Sequence, residues 1–263
     1  MQQLSFEALG TKWDIYLDEE DTENGSLQTL QNELYTVATS FEKNYSRFDP
    51  DSLVNNYSDK KETIHTPEFA SMLAFGKKLE SVSDGFFTLH SGHVLSLLGY
   101  GKGEQSIDFG SFGKGWLVDS LAKLLQSKKN KKHFLINAGG DIFATKKQNG
   151  NSWTVALEHP TDPTRALATI ELRNQALAAS SPFKRRWKKN NHLIDGKTSK
   201  SITNKRSVFT LAANATIADG IATVLNIIPK KMISTVAAQF GTEYLILENV
   251  VQQSKHFNCT FLK

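Results

Sequence analysis

Between Thr210 and Pro229 one charged residue, Asp219, interrupts a run of small and apolar side chains, Ala-Thr-Ile-Ala-Asp-Gly-Ile-Ala-Thr-Val-Leu. Taking an unpaired carboxylate out of water costs several kcal/mol, so Asp219 must face solvent, pair with a base or hold a cation. Thr223 follows four residues later and, on a helix, shares its face. A hard cation such as magnesium prefers oxygen ligands of this kind and keeps waters or phosphate oxygens in its other positions. The pattern also fits an exposed aspartate on a polar helix face, with Thr223 as filler.

A second group lies at Ile107 to Trp116, Ile-Asp-Phe-Gly-Ser-Phe-Gly-Lys-Gly-Trp. It reads as a strand, a glycine-rich turn and the start of a helix. Glycines let the backbone approach a ligand, helix N-terminal amides point at anions, and Lys114 adds a compact positive charge, a combination that suits phosphate. Its spacing fits neither the P-loop nor the dinucleotide fingerprint, and such turns are also routine connectors. Asn137 to Asp141, Asn-Ala-Gly-Gly-Asp, reads as a tight turn that can pack beside a ligand. His192 follows the basic run Lys184-Arg185-Arg186-Trp187-Lys188-Lys189. One aromatic among five charges lacks the interleaving that base stacking needs, so the run reads as a solvated hairpin and no nucleic-acid partner is expected. Seven histidines without close pairing and one cysteine argue against a zinc site.

These residues need elements to carry them. Trp13, Ile15 and Leu17 alternate with polar neighbours as in a half-buried strand, before an acidic turn at about Asp18 to Gly25. Leu27, Leu30, Leu34, Val37, Ala38 and Phe41 form the apolar stripe of a helix over about 26–44. Thr66 as N-cap and Pro67 at the first position open a second helix that stops near Gly85. Trp116, Leu117, Leu121, Leu124 and Leu125 mark the helix after the glycine-rich turn, and His133 to Asn137 a strand. Short strands then follow at about 153–157, 166–172, 175–179, 192–194 and 207–211, separated by polar turns that favour antiparallel pairing. Helices at about 215–228, with Asn214 as cap, and 230–240, between Pro229 and Gly241, precede strands near Tyr244 and Phe257. The mixture predicts an α+β protein. Without repeats or linkers, residues 1–263 form one domain of two closely packed lobes.

Composition sets the outer limits. The 263 residues are 39% hydrophobic, enough for a large core, and 31 basic against 27 acidic side chains leave a formal charge of +4, too small an excess to indicate nucleic acid. Cys259 has no partner for an internal disulfide and reads as a strand residue. No segment approaches the ~20 apolar residues of a membrane span, and Met1 to Asp14 lacks a basic start followed by an apolar run. The expectation is a cytoplasmic location for the chain as it stands, or an extracytoplasmic one, periplasmic or membrane-anchored, where an export signal has been removed.

Taken in order, these segments resemble the ApbE family of FAD:protein FMN transferases. That family's pattern runs Met-Gly-Thr, Ser-x-Tyr, Gly-Ala-Phe-Asp, Asp-Leu-Gly-Gly-x-x-Lys-Gly, Gly-Gly-Asp, His-x-x-Asp-Pro-x-Thr-Gly and Asp-Ala-x-x-Thr. Here it is met by Leu9-Gly10-Thr11, Ser46-Arg47-Phe48, Gly85-Phe86-Phe87-Thr88, Asp108 to Gly115, Gly139-Gly140-Asp141, His192 to Ser199 and Asp219 to Thr223. The resemblance implies a T-fold-like α+β architecture, mixed but mostly antiparallel sheets with packed helices, and an FAD cleft between lobes. It implies that Leu9, Phe48, Phe86, Phe87 and Thr88 line the flavin and adenine pockets, and that Asp108, Lys114 and His192 contact FAD. Mg2+ would be held by Asp219, Thr223 and the Ser111 carbonyl. The implied reaction is transfer of FMN from FAD to a Thr or Ser hydroxyl of an acceptor flavoprotein with release of AMP, His192 or Asp219 helping to deprotonate that hydroxyl. Among the departures are Thr88 for Asp, Gly196 for Pro, Ser199 for Gly, and Ala179-Ser180-Ser181 for Thr-Ser-Gly. They bear on pocket shape and acceptor recognition more than on the metal, and leave two alternatives: an FAD pyrophosphatase giving FMN and AMP, or a non-catalytic FAD-binding protein.

Overall fold

The computed structural model describes residues 1–18, 26–60, 66–101, 107–129 and 131–262. The acidic turn expected after Asp18 lies outside the described residues. Strands β1 (Gln2–Ala8) and β2 (Thr11–Leu17) precede helices α1 (Ser26–Tyr45), α2 (Leu53–Lys60), α3 (Pro67–Val82), α4 (Ser91–Leu97) and α5 (Gly113–Lys128). Then come β3 (Phe134–Ala138), β4 (Asp141–Ala144), β5 (Trp153–His159), β6 (Asp162–Leu172) and β7 (Gln175–Ser180). Four two-residue strands follow, β8 (Arg186–Trp187), β9 (Asn190–Asn191), β10 (Ile194–Asp195) and β11 (Lys200–Ser201). β12 (Ser207–Ala212), α6 (Ala215–Ile227), a short 3₁₀ turn (Lys230–Met232), α7 (Ile233–Gln239), β13 (Glu243–Leu247), β14 (Val251–Gln253) and β15 (Cys259–Phe261) complete the order.

The central sheet runs β1-β2-β3-β4-β7-β12-β13-β14, with antiparallel pairing at each step. Alternation along its strands sends side chains to two different cores. Ile15, Ile136, Ala178 and Val208 meet the helix layer through residues such as Leu34, Leu121 and Ile221. Leu135, Leu177, Phe209 and Leu245 face the other way, against Trp153, Leu157, Ile170 and Leu172 of the three-stranded sheet β15-β6-β5. Helix α6 is buried along nearly its whole length, which explains why its sequence is apolar or small on every side.

The caps are as the sequence reads: Thr66 Oγ1 accepts from the Phe69 N–H at 3.3 Å, and Asn214 Oδ1 from the Ile217 N–H at 2.9 Å. Cys259 lies in a strand. Other expectations need correction. Residues 107–109 do not form a strand; the Asp108 N–H bonds to the Leu89 carbonyl at 2.8 Å, with no ladder among the described residues. The strand expected at 192–194 is split, leaving His192 between β9 and β10. A 3₁₀ turn occupies 230–232 before α7 begins. The strands β4 and β14 and helix α4 are too short to show an apolar period of their own; they form because neighbouring elements offer them an edge or a face.

Candidate functional site

The N-terminus of α5 and the middle of α6 cross at very short range. A Cβ on Gly115 would lie 2.2 Å from the Ala215 carbonyl oxygen and 2.9 Å from Asp219 Cβ, so only glycine allows the approach. The crossing angle is also clamped from the other end. Asp119, one turn along α5, accepts the Ala215 N–H at 2.8 Å, the Thr216 N–H at 2.8 Å and the Thr216 hydroxyl at 2.5 Å. With Asn214 on Ile217, three first-turn amides of α6 are satisfied.

This crossing buries Asp219, which is 7% exposed, and brings its Oδ2 to the Gly115 N–H at 3.0 Å. The other Asp219 oxygen has no hydrogen-bond donor among the described residues. Burial pushes the Asp219 carboxyl above its ordinary pKa, against the pull of the Lys114 ammonium and the Gly115 N–H. Thr223 lies one turn on, also buried, and its hydroxyl donates to the Ser111 carbonyl at 3.3 Å. Three oxygens, from Asp219, Thr223 and Ser111, therefore converge from two elements. Lys114 forms an ion pair with Asp141, whose carboxylate is fully buried at the turn between β3 and β4. Burial draws the Lys114 ammonium below its ordinary pKa.

These groups open onto a cavity of about 790 Å3. Of the residues singled out by sequence, Phe48, Phe87, Thr88, Asp108, Ser111, Lys114, His192, Asp219 and Thr223 line it. Leu9 and Phe86 are not among the lining residues. Leu9 takes a left-handed conformation (φ 52°), gives its N–H to Glu42 and leaves the wall to Gly10 and Thr11. Phe86 packs against the buried cores and carries the Lys197 ammonium 4.4 Å from its ring centre.

Asp108 is held at both oxygens, one on the Gly110 N–H at 2.7 Å and the other 3.3 Å from Arg47 Nε. Arg47 is itself buried, donates to the Tyr100 carbonyl at 3.0 Å and lies 4.2 Å over the Phe48 ring. Arg47 and Tyr100, which carry no local signal of their own, line the cavity, and so do Lys184 and Arg185, which the sequence places in a solvated hairpin. His192 lies on the far wall in a turn held by Asn191, which accepts the Leu193 N–H and donates to the Ile202 carbonyl. Burial, reinforced by the positive charge of Arg185, pulls His192 down to about 4, so its imidazole is neutral at pH 7. Its Nδ1 is buried without a hydrogen-bond partner.

The ApbE family model matches residues 9–106 and 101–246. The chain belongs to the ApbE family. Among curated ApbE-type relatives, the FAD:protein FMN transferase of Klebsiella pneumoniae is 29% identical over 149 residues, 54% of this chain and 42% of that protein. That of Haemophilus influenzae is 34% identical over 126 residues, 45% of this chain and 36% of that protein. The alignments thus span well under half of those relatives' length. The solved flavin transferase ApbE from Vibrio cholerae superposes with a TM-score of 0.84 at 21% identity, covering 97% of both chains. The ApbE protein from Thermotoga maritima does so with 0.84 at 20% identity, again over 97% of both. The fold is therefore the ApbE fold, α+β with antiparallel sheets.

Where the ApbE pattern has aspartate, Thr88 hydrogen-bonds instead to a carboxylate from elsewhere. Its hydroxyl donates to Glu80 Oε1 at 3.1 Å, and the same oxygen accepts the Leu89 N–H at 2.8 Å. At the other departures, Gly196 sits where a Cβ would be 2.6 Å from the Gly85 carbonyl oxygen, and Ser199 takes φ 53° at a place the ApbE pattern gives to glycine.

Proposed function

We propose that this chain transfers the FMN half of FAD to a threonine or serine hydroxyl of an acceptor flavoprotein and releases AMP. The observation that carries the proposal is the convergence of Asp219, Thr223 and the Ser111 carbonyl beside Lys114 at the wall of a cavity of cofactor size. Membership of a family whose relatives carry the name FAD:protein FMN transferase supports the same reading.

The donor set fits magnesium: all oxygen, two helical side chains on one face, and a buried carboxylate that lacks a full set of partners. Bound by these three groups, the ion would neutralise charge on the pyrophosphate of FAD. Lys114 would add a positive charge beside the same phosphates, while the Gly115 N–H is spent on holding Asp219. The Arg47–Asp108 pair fixes the turn that carries Ser111, while Phe48, Phe87 and Thr88 line the space left for the flavin and adenine rings. In the reaction the acceptor oxygen bonds to the phosphorus on the FMN side, the bond from that phosphorus to the bridging oxygen breaks, and AMP leaves with that oxygen. The hydroxyl proton passes to His192 or Asp219. His192 is unprotonated at neutral pH, and the anionic substrate offsets Arg185 and raises its affinity for the proton.

The test is incubation with FAD, magnesium and a candidate flavin-acceptor domain, followed by separation of products. AMP together with flavin fluorescence covalently on the acceptor is the expected result. AMP with free FMN makes the chain an FAD pyrophosphatase. Yellow protein without any AMP makes it a flavin binder.

A further inference from the structure

The outer half of the basic run, Arg186 to Lys189, takes no part in the chemistry above, yet it is firmly built into the cavity rim. Strands β8 and β9 pair Arg186 with Asn191 and Trp187 with Asn190, and Lys188 turns the corner at φ 49°. The Trp187 ring stacks on Tyr100, centroids 4.7 Å apart and planes 20° apart, and its Nε1 donates to the Leu98 carbonyl at 2.7 Å. Tyr100 lines the cavity, as do Lys184 and Arg185 at the base of the same hairpin. Lys184 is neutralised by Glu158. Arg186, Lys188 and Lys189 are exposed and have no ion-pair partner among the described residues. Three cations without an ion-pair partner among the described residues thus stand on a Trp187-anchored hairpin whose base lines the cavity.

We propose that this hairpin is a docking surface for an acidic segment of the acceptor protein, close to the hydroxyl that receives FMN. The inference rests on the transferase reading. Charge complementarity selects the partner: fixed cations at a cavity rim steer and orient an anionic chain. Nucleic acid is disfavoured because the hairpin's only aromatic ring is already stacked on Tyr100. A lipid surface is the weaker fit because the exposed side chains of 186–190 are charged and Trp187 is half-buried, so that neighbouring exposed Leu97 and Phe48 would have to supply all the insertion.

The experiment uses the full chain loaded with FAD and two fluorescein-labelled peptides, one with a central Thr flanked by Asp and Glu, the other with Asn and Gln in their places. Anisotropy should show the acidic peptide binding about tenfold more tightly, with an advantage that shrinks as salt rises. Arg186→Glu/Lys188→Glu/Lys189→Glu, and the milder change of all three to Gln, should remove that advantage while FAD affinity stays unchanged. Equal binding of the two peptides, or an advantage that survives in both variants, overturns the proposal. Hairpin-dependent pelleting with phosphatidylglycerol vesicles, without any peptide preference, overturns it in favour of a membrane surface. AMP release and flavin attachment, followed separately, distinguish the two readings: a peptide preference without flavin transfer keeps the docking surface and removes the transferase.

Discussion

The two walls of the cavity are built by opposite means. On one side α5 and α6 cross with a glycine at the contact, a carboxylate clamping the helix start, and the ligand oxygens buried. On the other, β8 to β11 are strands of two residues each, His192 falls between two of them, and the rim is charged and exposed. The first wall fixes positions through close packing at Gly115. The second is held by local hydrogen bonds, such as those of Asn191, and by a small cluster of Leu193, Ile202 and Ile227. Among the departures from the family pattern, Gly196 and Ser199 fall on the second wall and Thr88 beside it, next to Gly196, whereas Ser111, which stands where the pattern has glycine, offers the metal a backbone carbonyl that does not depend on its side chain.

If the contrast holds, the largest effect comes from the helix crossing. Asp219→Asn should lower magnesium-dependent AMP release by about 10³ while circular dichroism remains native. Full turnover in the folded variant would break the site assignment. Gly115→Ala should follow, because the new methyl meets backbone that cannot move aside: a loss of about 3 kcal/mol in denaturant unfolding, together with a fall in turnover. An unchanged midpoint would mean that the helices separate freely.

The second wall should respond through rate rather than fold. His192→Ala should lower the transfer rate by about 10² with a smaller loss of FAD affinity, and unchanged kinetics would give His192 a purely structural part. Its titration adds a stability signature. The unfolded histidine takes up a proton near its ordinary 6.5 and the folded one only near 4, so between those values the unfolded state holds more protons. Stability should therefore be full above 6.5 and decline by about 3 kcal/mol at most as pH falls towards 4. His192→Gln should flatten that part of the unfolding profile relative to wild type. The smallest effect is expected at Ser199→Gly, where relief of the left-handed backbone should raise stability by about 0.5 kcal/mol, read as a small rise in Tm. A loss of stability there would show that the serine makes a compensating contact.

The sequence by itself determined whatever depends on short spacing. Helical period puts Asp219 and Thr223 on one face, Asn214 and Thr66 mark helix starts, and the strand period of Trp13, Ile15 and Leu17 marks the sheet. The order of the motifs was enough to indicate the family. It left Asp219 with three fates, solvent, a base or a cation, because burial depends on what packs against a helix. Only the tertiary structure removed the first, by setting Gly115 and the 108–111 turn against α6. The pairs Arg47 with Asp108, Lys114 with Asp141, Trp187 with Tyr100 and Thr88 with Glu80 likewise join elements that no local pattern connects. Side-chain period reports which way a residue faces; which partner it meets there depends on how distant segments pack, and that was decided by the fold as a whole.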